Sequence, residues 1–359
     1  MIGETNELIE KNKDKADILQ IKLFLGFISA VIVFFMLQLL KDIFIPFFMA
    51  LFLYFFLNGV VNRLVRLKIP KAIVLLFFLV FMFVLFYFLG ALLYANVSSF
   101  IQKLPEYSAK LAANFKELSD KVKIPGVHLD EYIKKTDWLS KGIDTSSVTS
   151  VLSTSFGSFT SFLGELILVL LFVTFMLTGK GDLTGRFSDA FEEERALKLK
   201  AVFVSIEGQV RSYLLIKTFV CLLAGVVCGL ILFIGGFDFI LLSALFIFVL
   251  HYIPQLGPFI ATIIPGLFGF LKFGFSLRFF LVLAGLMVAQ FIIGNIVEPK
   301  LTGRGLNISP IMVLISLIFW GYIWGIVGMI LAVPLTSALK IFFENIPVLN
   351  PLATLISEK

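Results

Sequence analysis

Polar and apolar positions in this chain fall into long blocks, not a short alternating period. Apolar runs lie at about 23–40, 43–61, 72–94, 156–178, 212–235 and 279–297. Each is close to the length of about 20 residues that carries a helix across a bilayer. Two further apolar stretches, at about 239–273 and 306–343, are too long for one straight span. The pattern predicts an all-α polytopic membrane protein with about eight membrane segments. Its parts are an N-terminal segment 1–22, three spans within 23–94 and a polar helical insert at 95–155. A fourth span at 156–178, a connector at 179–211, a C-terminal bundle at 212–343 and a tail at 344–359 follow.

The two long stretches are interrupted by helix breakers. The first contains HYIPQLGPFIATIIPG, with Pro254, Gly257, Pro258 and Pro265. A charged loop, Glu298 to Gly305, leads into the second and carries Pro299 and Gly303. Pro310, Gly321, Gly325, Gly328 and Pro334 follow within the second stretch itself. Proline removes a backbone donor, and glycine permits turns that other residues resist. Such breaks at membrane depth persist only where protein or an aqueous cavity satisfies the freed backbone groups. In transporters they often mark the substrate site. The breakers favour two helical hairpins, re-entrant or made of short crossings, over two long tilted helices. If both bend back, one opens from outside and the other from inside, as in inverted-repeat transporters. Gly257 and Pro258 are expected at the first break.

The polar insert reads as a small helical domain. Ile101, Leu104, Leu111, Phe115, Leu118 and Val122 recur at helical spacing up to Pro125-Gly126. That face suits a helix lying on the protein or membrane surface, or packing against a second subunit. The chain is Ser/Thr-dense from Thr145 to Ser161, and Val148, Val151, Leu152, Phe156, Phe159 and Phe162 repeat there at helical spacing, leading into the fourth span.

Composition agrees with the pattern. The chain is 59% hydrophobic and 15% charged, with mean hydropathy +1.01 and 43 phenylalanines. A soluble domain is usually about a quarter charged. The net charge of +6 sits in short loops beside spans, where it sets topology and does not bind nucleic acid. Arg63, Arg66, Lys68 and Lys71 place the loop between spans two and three in the cytoplasm. Both termini and the 179–211 connector are then cytoplasmic and the insert is extracytoplasmic. The acidic and basic residues before Ile21 do not resemble a cleavable signal, so the first apolar run reads as a retained span. Cys221 and Cys228, about 10 Å apart along one helix, are too distant for a disulfide and read as buried thiols.

Few residues carry candidate chemistry. Gln290, Asn295 and Glu298 are polar groups beside the second broken segment, with Asn295 and Glu298 on one helix face. Polar side chains in spans usually face the bundle interior or a cavity. Interhelical hydrogen bonding and solute contact both fit them. Gln255 lies within the first break. Glu165 must belong to the fourth span, paired, protonated or wet, or else in the headgroups at its start. His251 is a titratable group beside the first break. Lys217 reads as snorkelling to the cytoplasmic interface. Two GxxxG pairs, Gly225/Gly229 and Gly321/Gly325, permit close helix contact. No GxxxxGK[ST], GxSxG or HExxH occurs, so neither an ATP motor nor an intramembrane protease is indicated. No enzymatic activity, cofactor or metal site is expected. The residues point to a secondary transporter of a small polar solute or ion. A passive channel and a membrane scaffold are the other classes that fit.

Two segments resemble the autoinducer-2 exporter family of bacterial membrane proteins. They are IPQLGPFIATIIPG, and EPKLTGRGLNISP with GIVGMILAVPLTSALK. The order of three spans, an insert and five further segments is similar too. The resemblance implies a multi-pass bacterial inner-membrane transporter without ATP hydrolysis of its own, assembled as a homo-oligomer. It implies export of a small polar solute such as the quorum-sensing signal autoinducer-2, or sodium/proton exchange, which is linked to other members. Gln255 replaces a common Tyr, Ser309 a common His, and His251 stands at an often acidic or amide position.

Overall fold

The computed structural model describes residues 24–121, 164–178, 190, 192–302, 307–346 and 349–358. Its regular elements are all helices among these residues, joined by short turns, with one isolated antiparallel bridge between Ile308 and Ser357. The helices are α1 (Phe24–Leu39), α2 (Lys41–Arg66), α3 (Lys71–Lys121), α4 (Gly164–Thr178) and α5 (Glu193–Ile234). They continue as α6 (Ile240–Leu250), α7 (Leu256–Phe273), α8 (Leu277–Thr302), α9 (Pro310–Glu344) and α10 (Asn350–Ile356). Six of the helices are long and apolar enough to cross a membrane, and three shorter apolar helices accompany them. The protein is an all-α polytopic membrane protein.

Leu40 alone separates α1 from α2, so the first two apolar runs meet at a bend. The Leu37 carbonyl, which a continuous helix would pair with the Lys41 amide, accepts the indole N–H of Trp324 at 3.1 Å. Two other helices outrun the apolar blocks that announced them. α3 continues through the start of the insert to Lys121, and α5 begins within the connector at Glu193. A change from apolar to polar marks a change of surroundings, and EERALKLKAVF keeps good helix formers across it. Of the insert, only the part up to Lys121 lies within the described residues; Pro125-Gly126 and the Thr145–Ser161 run lie outside them.

α5 is the hub. One core cluster joins α2, α5 and α9 through Phe52, Phe55, Val210, Leu317, Trp320, Trp324 and Leu331. A second joins α5 to α6, α7 and α8 through Val220, Ala224, Cys228, Ile247, Ala261 and Leu286. A third seats α4 on α2 through Val169, Val173, Ala50 and Leu57. Gly225 and Gly229 serve this intramolecular packing. A Cβ on Gly225 would lie 3.1 Å from the Ala244 carbonyl, and one on Gly229 would lie 3.3 Å from the Ala244 Cβ.

Both long apolar stretches fold back on themselves. In the first, the Phe239 ring before α6 meets Phe268 near the end of α7 at 5.2 Å. α6 and α7 therefore run antiparallel, closed by the turn from His251 to Gln255. At about 1.5 Å per residue, α6 reaches only about half way through a 30 Å core. The second stretch turns at Gly325, whose φ of 63° and ψ of −142° leave the helix. The Trp320 indole donates to the Thr336 hydroxyl at 3.2 Å. In a straight helix those residues would lie about 24 Å apart. Gly328 sits so close to the Trp320 carbonyl that an added Cβ would lie 2.0 Å from it. Ser276 and Ser309 cap α8 and α9, accepting the Phe279 and Met312 amides.

The open end of the first hairpin is fastened to α3. Asp238 accepts from the Tyr107 hydroxyl and from Lys272, both at 2.8 Å, and lies 3.6 Å from Lys103. Burial opposes ionisation of Asp238, but the bonds from Lys272 and Tyr107 win and hold its carboxyl below its ordinary value.

Candidate functional site

The turn of the first hairpin is strained. Gln255 has φ 59° and ψ −46°, and the Leu256 amide bonds back to the Pro254 carbonyl at 2.6 Å. That is a γ-turn of the rare positive-φ type. Pro254 and Pro258 on either side supply no amide donors, and Gly257 passes against the Leu250 carbonyl, where an added Cβ would lie at 2.0 Å. The break thus spans His251–Gln255, with Gly257 and Pro258 in the first turn of α7. Tyr252 fixes the turn to α5 through a 2.8 Å bond from its hydroxyl to that of Thr218.

Opposite this turn, α8 widens into a π turn at Ile293–Val297, and the Glu298 amide bonds to the Ile293 carbonyl. Pro299 explains it. In an α-helix its ring would press on the Asn295 carbonyl and offer it no donor. The wider turn relieves the clash, and Gly294 within it has no side chain to crowd the expanded backbone.

The two irregularities face each other across a cleft of about 1540 Å³. Its lining includes Tyr213 and Lys217 of α5, and Pro254, Gln255, Pro258 and Thr262 of the first hairpin. α8 adds Gln290, Asn295, Glu298, Pro299 and Thr302, and Asn307, Ile308, Val333 and Glu358 complete it. Lys217 is 3% exposed and forms an ion pair with Glu298. His251 is wholly buried, and its Nε2 lies 3.6 Å from the other Glu298 oxygen. Glu298 therefore joins α8 to α5 on one side and to the hairpin turn on the other. Glu298 is only half-buried, but the buried Lys217 ammonium is held by this pairing, and removing the carboxylate would strand it. Gln290 is 4% exposed, and its amide has no hydrogen-bond partner among the described residues. A buried amide left in that state is costly unless water or solute meets it. Asn295 is exposed and donates to the Phe291 carbonyl at 3.1 Å.

Of the side chains singled out in the sequence, Gln255, Gln290, Asn295 and Glu298 meet in this cleft. His251 lies behind it, against Glu298. Glu165 is an exposed residue of α4 and is not among the lining. Among the breakers, Pro254, Pro258 and Pro299 line the cleft, Gly257 packs in the hairpin turn and Pro265 is buried within α7. Pro310 opens α9, Gly325 is the turn of the second hairpin, and Gly321 and Gly328 lie at close contacts between its arms; Pro334, expected as a breaker, is instead buried within the helical returning arm. Gly303 lies outside the described residues.

Lys217 corrects the sequence reading. It does not snorkel to an interface; it is buried and ion-paired. A lysine in an apolar run is equally compatible with an interface and with a distant carboxylate, and only the fold brings Glu298 to it. Tyr213, Thr262 and Glu358 also escaped notice, and no local pattern distinguishes them from ordinary helix and tail residues.

The AI-2E family transporter model matches residues 25–348 of the chain. The AI-2 transport protein TqsA of Escherichia coli (strain K12) is 30% identical over 340 residues, covering 95% of this chain and 96% of that protein. A putative transport protein of Haemophilus influenzae is 29% identical over 336 residues, covering 90% and 92%. The putative transport protein YueF of Bacillus subtilis is 27% identical over 320 residues, covering 86% and 85%. The family match runs through all the helices that build the cleft, and the chain belongs to the AI-2E transporter family.

Proposed function

We propose that this protein is a secondary transporter, without ATP hydrolysis of its own, that exports a small polar solute through this cleft. The observation that carries the reading is a cleft lined by amides and the Lys217–Glu298 ion pair, lying between a strained hairpin turn and a π turn. Gln255, Gln290 and Asn295 offer both donors and acceptors to a solute. Lys217 and Glu298 neutralise each other, which leaves Glu358 as the unbalanced charge of the lining. The name of the Escherichia coli relative makes AI-2 the first solute to try. On this reading the protein is a homo-oligomer in the bacterial inner membrane, with cytoplasmic termini and an extracytoplasmic insert. The four basic residues from Arg63 to Lys71 support that orientation.

The test is flux in liposomes reconstituted with purified protein, across a solute panel, with and without proton or sodium gradients. Accumulation against a gradient supports coupled transport, whereas equilibration alone supports a channel. A protein that moves nothing sinks both and leaves a scaffold. Asn295→Ala should cut flux and leave Tm unchanged, because its exposed side chain bonds only within its own helix. One observation favours sodium/proton antiport as a second reading: a buried histidine shares Glu298 with a buried lysine. Flux of sodium that drives protons the other way, lost in His251→Gln, would support it.

A further inference from the structure

The last described residues of the chain reach the wall of the cleft beside Asn307 and Ile308. α10 is short and buries only Ala353 and Ile356. Beyond it the chain pairs with the strand-like segment that leads into α9. The Ser309 amide donates to the Ile356 carbonyl at 3.0 Å, and the Glu358 amide donates to the Asn307 carbonyl at 3.2 Å. Ile308 and Ser357 face each other between these two bonds. Asn307 takes a positive φ of 45°, a conformation that asparagine tolerates better than most residues. Asn307, Ile308 and Glu358 all line the cleft. The tail therefore forms part of the cleft wall and is tied at the entry to the second hairpin. Ser309 is bound on both sides, since it donates to the tail and caps α9.

The attachment is slight compared with what it covers. Two backbone bonds, two buried side chains and the packing of α10 on α9 hold it, while Leu352 and Leu355 remain exposed. Elements that open and close are drawn from such weakly held parts of a structure.

We propose that residues 350–358 are a strap that controls access to the cleft, closed when Ser357 is paired with Ile308 and open when the pair separates. The proposal rests on the reading of the cleft as a transport path, but its test reads access alone. Release frees the Asn307 carbonyl and the Ser309 amide, and withdraws Glu358 from the lining. The open state therefore changes both the width of the cleft at this wall and its charge.

Ile308 and Ser357 form the type of antiparallel pair whose side chains lie closest, with Cα atoms about 4.5 Å apart, within disulfide reach. The test uses the full chain with Cys221→Ala and Cys228→Ala, carrying Ile308→Cys, Ser357→Cys and Gln290→Cys. Residue 290 lines the cleft and is the reporter, labelled with a membrane-impermeant maleimide in proteoliposomes. Oxidation should lock the strap and slow labelling of residue 290 by about tenfold, and reduction should restore it. A second variant ends the chain after Leu349 and carries only the reporter. It should label faster than the full chain, and its melting temperature shows whether it is folded. Equal labelling, within about twofold, of oxidised and reduced protein overturns the strap whether or not the truncated chain folds. Failure of transport in the flux assay with labelling still gated would instead remove the solute reading and keep the strap.

Discussion

The two hairpins reach into the same bundle but are closed by different physics. The first turns through Pro254 and a strained Gln255, and is fastened by His251 beside the ion pair of buried Lys217 with half-buried Glu298. The second turns through Gly325, and is fastened by Trp320 on Thr336, Gly328 under the Trp320 carbonyl and Trp324 in an aromatic core. One turn spends conformational strain to bring polar groups to a cleft; the other is almost all contact. Strain kept at a polar turn is a mark of function, since packing alone would select it away. The first hairpin should therefore lose transport before it loses stability when its turn is altered, and the second should do the reverse.

The largest effect is expected at the fastening of the first hairpin. Lys217→Met leaves the half-buried Glu298 without its buried partner and should cost about 3–5 kcal/mol in unfolding measurements. Adding Glu298→Gln should recover part of that loss, because the stranded charge goes too. Additive losses would show that the pair does not hold the turn. Next, Gly328→Val drives a side chain into the Trp320 carbonyl and should lower stability by about 3 kcal/mol, read as a drop in Tm in detergent. A tolerated valine would mean the second hairpin is not closed by contact. Gln255→Gly sharpens the contrast, because its two readouts move in opposite directions. Glycine relieves the positive φ and should raise stability by about 1 kcal/mol while flux falls. Flux that stays normal would remove Gln255 from the path.

The smallest effect belongs to the open end of the first hairpin. Folding holds the Asp238 carboxyl below its ordinary value, so its contribution is present above about pH 4 and is lost as pH falls through the folded value. Asp238→Asn should cost less than about 1 kcal/mol at neutral pH, because the site is partly wet. It should also flatten the acid limb of the stability profile. An unchanged limb would assign that pH dependence to other carboxylates.

Much of this architecture was legible in the residues. Proline and glycine act locally, so Pro254 and Gly325 announced where helices bend, while Gly257 and Pro258, expected at the first break, fall just after it in the first turn of α7. Polar groups in apolar surroundings announced Gln255, Gln290, Asn295 and Glu298 as cleft candidates. What stayed hidden depends on distance in the chain. Lys217 and Glu298 meet only because α5 and α8 pack, and the tail reaches the cleft only through a bridge to Ile308. The π turn had a local cause in Pro299, but a proline after a helical run predicts a stop as readily as a widened turn. Glu165 fits a pathway group and a headgroup residue equally in the sequence; in the fold it is exposed in the first turn of α4 and is not among the cleft lining.

The bond between Trp324 and the Leu37 carbonyl gives the protein a built-in optical probe. Of its three tryptophans, Trp320 and Trp324 sit at the end of one hairpin with their rings 5.0 Å apart. One indole is hydrogen-bonded to a carbonyl at the α1–α2 bend and the other to a hydroxyl on the returning arm. Movement of that hairpin against the first helices would change the polarity around Trp324 before it changed the rest of the bundle. Intrinsic emission, with Trp138→Phe to remove the third indole, would then follow the second hairpin without an added dye.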